Sequence, residues 1–135
     1  MTFARYVFAL AAVWGIAVLT PFYWLIDITG RRYTTPTEYP HFFYGFFGVA
    51  LVWQCAFLLI ATNPARYRPF MLVAAAEKLA YIVTLAVLHS QNRITAVDTQ
   101  AAWPDGLLGV LFVIAFLRTG RARLDGKLAA RAPQF

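Results

Sequence analysis

The chain has 135 residues, of which 61% are hydrophobic, 17% aromatic and only 13% charged. Soluble domains carry about 25% charged residues, and 12 basic plus 6 acidic side chains cannot cover the wet surface of so small a fold. The composition excludes a soluble globular domain and points to a bilayer. The 1 Cys excludes an internal disulfide and any multi-thiolate metal or iron–sulfur site.

A spanning helix needs about 20 largely apolar residues, because each adds about 1.5 Å through a core about 30 Å thick. Four segments are expected to span, at 7–26, 42–62, 70–88 and 103–118. The first carries no charge before Asp27, and Pro21 is expected to kink or loosen its far end. Thr20, Pro21, Phe22, Tyr23 and Trp24 stand where a signal peptide would have small cleavage-site residues, so the segment reads as a retained helix. The second span has Gln54 as its strongly polar side chain, and the third carries Glu77 and Lys78. The fourth opens Trp103-Pro104-Asp105: proline suits a first helical turn, and the carboxylate complements the positive end of the helix dipole.

The loops differ in length. Asn63 to Pro69 is a tight turn with Asn-Pro and Arg-Pro stops, which predicts that spans two and three form a close antiparallel hairpin. Asp27 to His41 and Ser90 to Ala102 are longer and polar, with room for a short amphipathic turn in the second. The flanks on the side of the termini hold Arg5, Arg66, Arg68, Arg118, Arg121, Arg123, Lys127 and Arg131, against Arg31, Arg32 and Arg93 on the other side. Basic residues resist translocation, so both termini are expected in the cytoplasm. The expected fold is all-α: one integral membrane four-helix bundle over 1–119, N-in and C-in, followed by a basic cytoplasmic tail at 120–135. Topogenesis and anionic headgroups account for that tail without nucleic acid.

The informative side chains are those that cost energy where they sit. Glu77 lies about 10 to 12 Å into the third span at the standard rise, a depth at which a carboxyl is paired, hydrated or neutralised and faces the bundle interior. It is the leading candidate, either as an interhelical hydrogen bond that aligns the bundle or as a ligand-binding or proton-carrying group. Lys78 points about 100° away around the helix. Two readings apply to it: a stem that snorkels to the headgroups, or a buried ammonium that meets a carboxyl or an anionic lipid. Counting depth from the same side places Gln54, Trp14 and Gly109 in the layer of Glu77, and the tight hairpin predicts a Gln54–Glu77 hydrogen bond. Gly106 and Gly109 permit close helix approach or leave space for a ligand.

Tyr81 and Thr84 follow Glu77 at helical spacing and extend a polar stripe toward His89. At the outer boundary His41 and His89 are weak metal candidates beside Asp27, Asp98 and Asp105. Aromatic neighbours Tyr39, Phe42, Phe43 and Tyr44 suit these histidines to an interfacial belt instead. The chain has no histidine cluster, haem-type histidine pair, Gly-rich phosphate loop or Ser-His-Asp arrangement, and no cofactor is expected.

Tyr44-Gly45-Phe46-Phe47-Gly48-Val49-Ala50, the turn Ile60 to Pro69, and Glu77-Lys78 resemble the small four-span bacterial membrane proteins of the DoxX-like group. That resemblance covers most of 1–119 and implies an integral membrane protein of unassigned activity. Asp27 closing span one, Tyr39-Pro40, and Trp53-Gln54-Cys55-Ala56-Phe57-Leu58 are similar, more faintly, to the EXPERA family of membrane isomerases and receptors. The sequence departs from that family, since Ala50 stands where it has an acidic residue and no proline follows Gln54; the alternative expectation is an EXPERA-like membrane isomerase in which Glu77, outside the matched stretch, acts as substitute acid with Asp27 assisting. The expectation is an inner-membrane four-helix protein. It either binds a lipid-like or other hydrophobic ligand, with Glu77, Gln54, Trp14, Tyr81, Thr84 and Gly109 as candidate contacts, or serves as a subunit with a membrane-protein partner or second copy.

Overall fold

The computed structural model describes residues 1–24 and 40–129, with side chains as far as 122 in the last helix. Asp27, Arg31, Arg32, Glu38 and Tyr39 lie outside the described residues, as do 130–135 of the tail. The described chain is helical: α1 (Thr2–Leu19), α2 (Pro40–Thr62), α3 (Arg68–Ser90), a single turn α4 (Ala96–Thr99) and α5 (Ala102–Ala129). Among the described residues, four helical stretches are long and apolar enough to cross a membrane, beginning at Thr2, Pro40, Arg68 and Ala96.

Local chemistry sets the ends. Ahead of Pro21 the regular helix stops at Leu19, and Trp24 N–H bonds Pro21 O at 3.0 Å in a tighter turn beyond it, because proline removes a donor from the ladder. Between α2 and α3, Asn63 Oδ1 accepts from Arg66 N–H at 3.1 Å, an Asx turn, and Pro69 stands in the first turn of α3. Past α3, Asn92 takes φ 56°. The Arg93 and Asn92 N–H groups bond Leu88 O and His89 O at 3.0 and 2.9 Å, the left-handed terminator that asparagine tolerates. Thr95 and Asp98 form a reciprocal capping box on α4, the short turn expected in this loop. The helix of the fourth span does not stop at 118 but continues to Ala129.

Packing follows small residues more than loop length. α2 lies along α1, α3 along α5, and α1 meets α5, whereas α2 and α3 touch sparsely despite the tight turn that joins them. The expected close hairpin of spans two and three is therefore corrected. Ala4, Ala11 and Ala12 share the buried stripe of α1 with Val7 and Phe8, and Gly15 is so close to Gln54 of α2 that a Cβ there would overlap the amide. Gly120 of α5 meets the Arg68 guanidinium of α3 in the same way. Without a hydrophobic driving force in lipid, such close approach decides which helices pair.

Start of α1, end of α2, start of α3 and end of α5 share one end of the bundle: Arg5 Nη2 donates to Thr62 O at 3.4 Å, and Arg118 lies 4.7 Å over the Phe3 ring. The core sits in this half. Phe8 stacks on Phe112 with ring centroids 4.3 Å apart, Phe57 meets Phe112 edge-on at 5.0 Å, and Ile60, Met71, Ala74 and Ala115 close around them. Arg68 locks α3 to α5 there, with Nε donating to Phe116 O at 3.1 Å and its guanidinium 3.8 Å over the Phe116 ring. Farther from the termini lies a cavity to which Gln54, Glu77, Lys78 and Asp105 contribute, while Thr119 is buried in the half near the termini.

Candidate functional site: a charged cavity in the open half of the bundle

Lys78 is only 8% exposed, so its stem does not snorkel to the surface; the structure realises the buried reading. Its ammonium lies 2.7 Å from Asp105 Oδ1 on α5, and it donates to Glu77 Oε1 at 3.4 Å. It is also 3.2 Å from Glu77 Oε2, yet without the geometry of a hydrogen bond. Burial makes the pairing obligatory, since an isolated ammonium in hydrocarbon would cost several kcal/mol. The Phe57 ring, 5.5 Å from Nζ, roofs the cation on its core side.

Gln54 and Glu77 do not join. The Gln54 amide, 3% exposed, donates to Ala50 O on its own helix at 2.8 Å and rests on Gly15. Sparse packing of α2 against α3 leaves a gap where the sequence suggested a bond. That gap is a cavity of about 260 Å³, lined among others by Trp14, Gln54, Glu77, Lys78, Tyr81 and Asp105. Phe22, Phe46 and Phe47 supply an aromatic wall, and Ala101 and Pro104 stand at the end away from the termini. Phe46 and Tyr81 face one another across α2 and α3 with centroids 6.2 Å apart.

Glu77 Oε2 is buried and lacks a hydrogen-bond partner among the described residues. The cluster as a whole holds two carboxyls against one ammonium, so with all three ionised the cavity carries a surplus negative charge. Such a site favours a group that donates hydrogen bonds.

Of the residues picked from sequence, Trp14, Gln54, Glu77 and Tyr81 line this cavity, whereas Thr84 and Gly109 are not among its lining residues. Thr84 Oγ1 is exposed and donates to Ala80 O at 2.9 Å. Gly109 lies opposite the Lys78 stem, where an added Cβ would be 3.5 Å from Lys78 Cβ. The polar stripe along α3 thus reaches Tyr81 inside the cavity and turns outward at Thr84. Asp27, the second acid candidate, lies outside the described residues.

Of the outer constellation, His41, His89, Asp98 and Asp105 lie among the described residues and Asp27 does not. Among the described residues no group of three or more His, Cys, Asp or Glu side chains could hold an ion. His89 Nδ1 is 3.4 Å from Ile94 O, and His41 lies against Phe42 with centroids 4.4 Å apart. Asp98 accepts from Thr95 N–H at 2.8 Å, and Asp105 has turned inward to Lys78. Sequence reasoning missed this last pairing. Its signal was present as the one lysine within a span and an acid at the start of the helix that follows.

Comparison with family models, curated proteins and solved structures finds no match for this chain.

Proposed function

We propose that this chain is a binding protein of the bacterial inner membrane, with both termini cytoplasmic, that takes a polar group of a hydrophobic ligand into the cavity between its four helices. The observation that carries the reading is Glu77: its carboxyl lines a cavity and is held by Lys78 of its own helix, instead of closing on Gln54, whose amide donates to Ala50 O. A carboxyl that served only to align the bundle would be satisfied by a neighbouring helix. Trp14, Phe46 and Phe47 around it supply the flat apolar contacts typical of ligand sites. At about 260 Å³ the space falls below the range of about 300–1,000 Å³ usual for whole drug-sized ligands, so it suits the functional end of a molecule.

The test is native mass spectrometry with lipidomics on protein extracted from its own membrane. A specific apolar molecule is expected to co-purify with wild type and with Thr84→Ala, and to be lost from Glu77→Ala. Identical lipid content in all three forms would overturn the reading, and a membrane protein retained by every form would favour a structural subunit.

A second reading, suggested by the same cavity-lining carboxyl, is proton transfer. A carboxyl held against an apolar ligand, with an ammonium 3.2 Å away, is equipped to donate and accept a proton as EXPERA-like isomerases would. Turnover of a bound unsaturated ligand, abolished in Glu77→Gln while binding persists, would distinguish enzyme from carrier.

A further inference from the structure

A second concavity of about 1080 Å³ lies between α1 and α5 on the outside of the bundle, lined by Tyr6, Leu10, Trp14, Leu107, Val110 and Leu111 among others. Leu10, Leu107 and Val110 are 67%, 63% and 60% exposed, so in a membrane this groove faces the acyl chains. It adjoins the charged cavity. Ala11, Trp14, Pro104 and Leu108 line both spaces, and Trp14, 53% exposed, is the large side chain at their junction.

We propose that the ligand is a single-chain lipid with a small hydrogen-bond-donating head, which enters sideways between α1 and α5, places its head at Glu77, Lys78 and Asp105, and leaves its chain in the groove. This rests on the reading of the charged cavity as a ligand site and adds the ligand class and route. Size supports it first: the cavity has room for a head, and the adjoining groove has room for the remainder. Length agrees. From Trp14 to Phe3, both in the groove, α1 covers about 16 Å at the standard rise, close to half of the roughly 30 Å hydrocarbon thickness. One chain in one leaflet fills it.

Depth and charge restrict the head. Glu77 follows the start of α3 at Arg68 by nine residues, about 14 Å, which is near the bilayer midplane. A phospholipid head does not travel to that depth, and a phosphate would meet two carboxyls against one ammonium. A hydroxyl or amine on a single chain can reach it and donate to the Glu77 and Asp105 carboxyls, which line the cavity and outnumber the one ammonium.

The experiment uses the full chain in phosphatidylcholine nanodiscs with a long-chain fatty alcohol carrying a diazirine at mid-chain. Photolabelling is mapped with and without excess unlabelled alcohol, and the melting temperature is followed in parallel. Competable labelling of Leu10, Leu107 and Val110, all groove-lining, is expected to exceed that of the exposed Val52 and Val83 of α2 and α3 by roughly tenfold, a preference of about 1.4 kcal/mol. Val110→Trp, an apolar change at an exposed site, is expected to remove the excess and leave the fold intact. Equal labelling of all lipid-facing helices would overturn the chain's place and route. If the alcohol still raised the melting temperature of wild type but not of Glu77→Leu, the cavity reading would survive that failure. Equal labelling with no thermal response would sink both.

Discussion

Lys78 of α3 and Asp105 of α5 form a 2.7 Å ion pair across the helix interface, with their side chains only 10% and 22% exposed. Two charges that would each resist burial are held together in the half of the bundle that has least core. The Glu77 carboxyl is drawn into the same cluster through the ammonium.

Removing one partner of this pair strands the other. Asp105→Ala is expected to lower stability by about 2–4 kcal/mol, somewhat less than the ~3–5 kcal/mol for breaking a buried pair, because the contact of Lys78 to Glu77 remains. The double variant Lys78→Met with Asp105→Ala is expected to lose less than the single variants Lys78→Met and Asp105→Ala combined. Unfolding by dodecyl sulfate titration in mixed micelles measures all three, and strictly additive losses would show that the pair contributes no coupling.

The aromatic core predicts a polarity along the bundle axis. Phe112 is fully buried between Phe8 and Phe57, so Phe112→Ala is expected to cost about 3–5 kcal/mol through lost contacts and cavity formation. Phe46, 53% exposed and on the cavity wall, is expected to cost less than about 1 kcal/mol when truncated, because no packed volume is opened. The same micelle titration decides this, and equal losses would contradict a core confined to the half near the termini.

Two glycines are expected to respond differently to a methyl group. At Gly15 a Cβ would overlap the Gln54 amide, whereas at Gly109 it would sit 3.5 Å from Lys78 Cβ in ordinary contact. Gly15→Ala is expected to push Gln54 off Ala50 O and cost about 1 kcal/mol, while Gly109→Ala is neutral or slightly stabilising through helix propensity. Melting temperatures of the two variants, compared side by side, check the order.

Arg68 joins a hydrogen bond and a ring contact in one planar group, both to Phe116. Lysine keeps the charge but loses the planar guanidinium that serves both at once. Arg68→Lys is expected to cost about 1 kcal/mol, with loss of protection of the Phe116 region in hydrogen exchange as the local readout. Unchanged exchange there would deny Arg68 its role as a clamp.

The spans were legible because twenty apolar residues in a row have few other fates, and the turn at Asn63 was legible from its two prolines. Glu77 stood out because charge at that depth needs a reason, and it does line the cavity. Helix pairing was not legible from the loops: the tight turn suggested α2 against α3, but Gly15 and Gly120 admit Gln54 and Arg68 so closely that α1–α2 and α3–α5 pair instead. Counting depth from span ends placed Asp105 at the surface beside the histidines. The reach of a lysine stem away from the termini, which brings Nζ to Asp105, is a side-chain direction that residue spacing along one helix does not encode.

Everything functional depends on the region around Glu77 being open instead of closed upon itself, and thiol accessibility reads this directly. Ala50 lines the cavity and Ala74 is fully buried in the core; each is changed to Cys in a Cys55→Ser background and exposed to small cationic and anionic methanethiosulfonates in native membranes. Ala50→Cys is predicted to react, and roughly tenfold faster with the cationic reagent because of the surplus carboxyl, while Ala74→Cys stays inert. If Ala50→Cys were as unreactive as Ala74→Cys, the bundle would be closed at Glu77 and the ligand site would not exist.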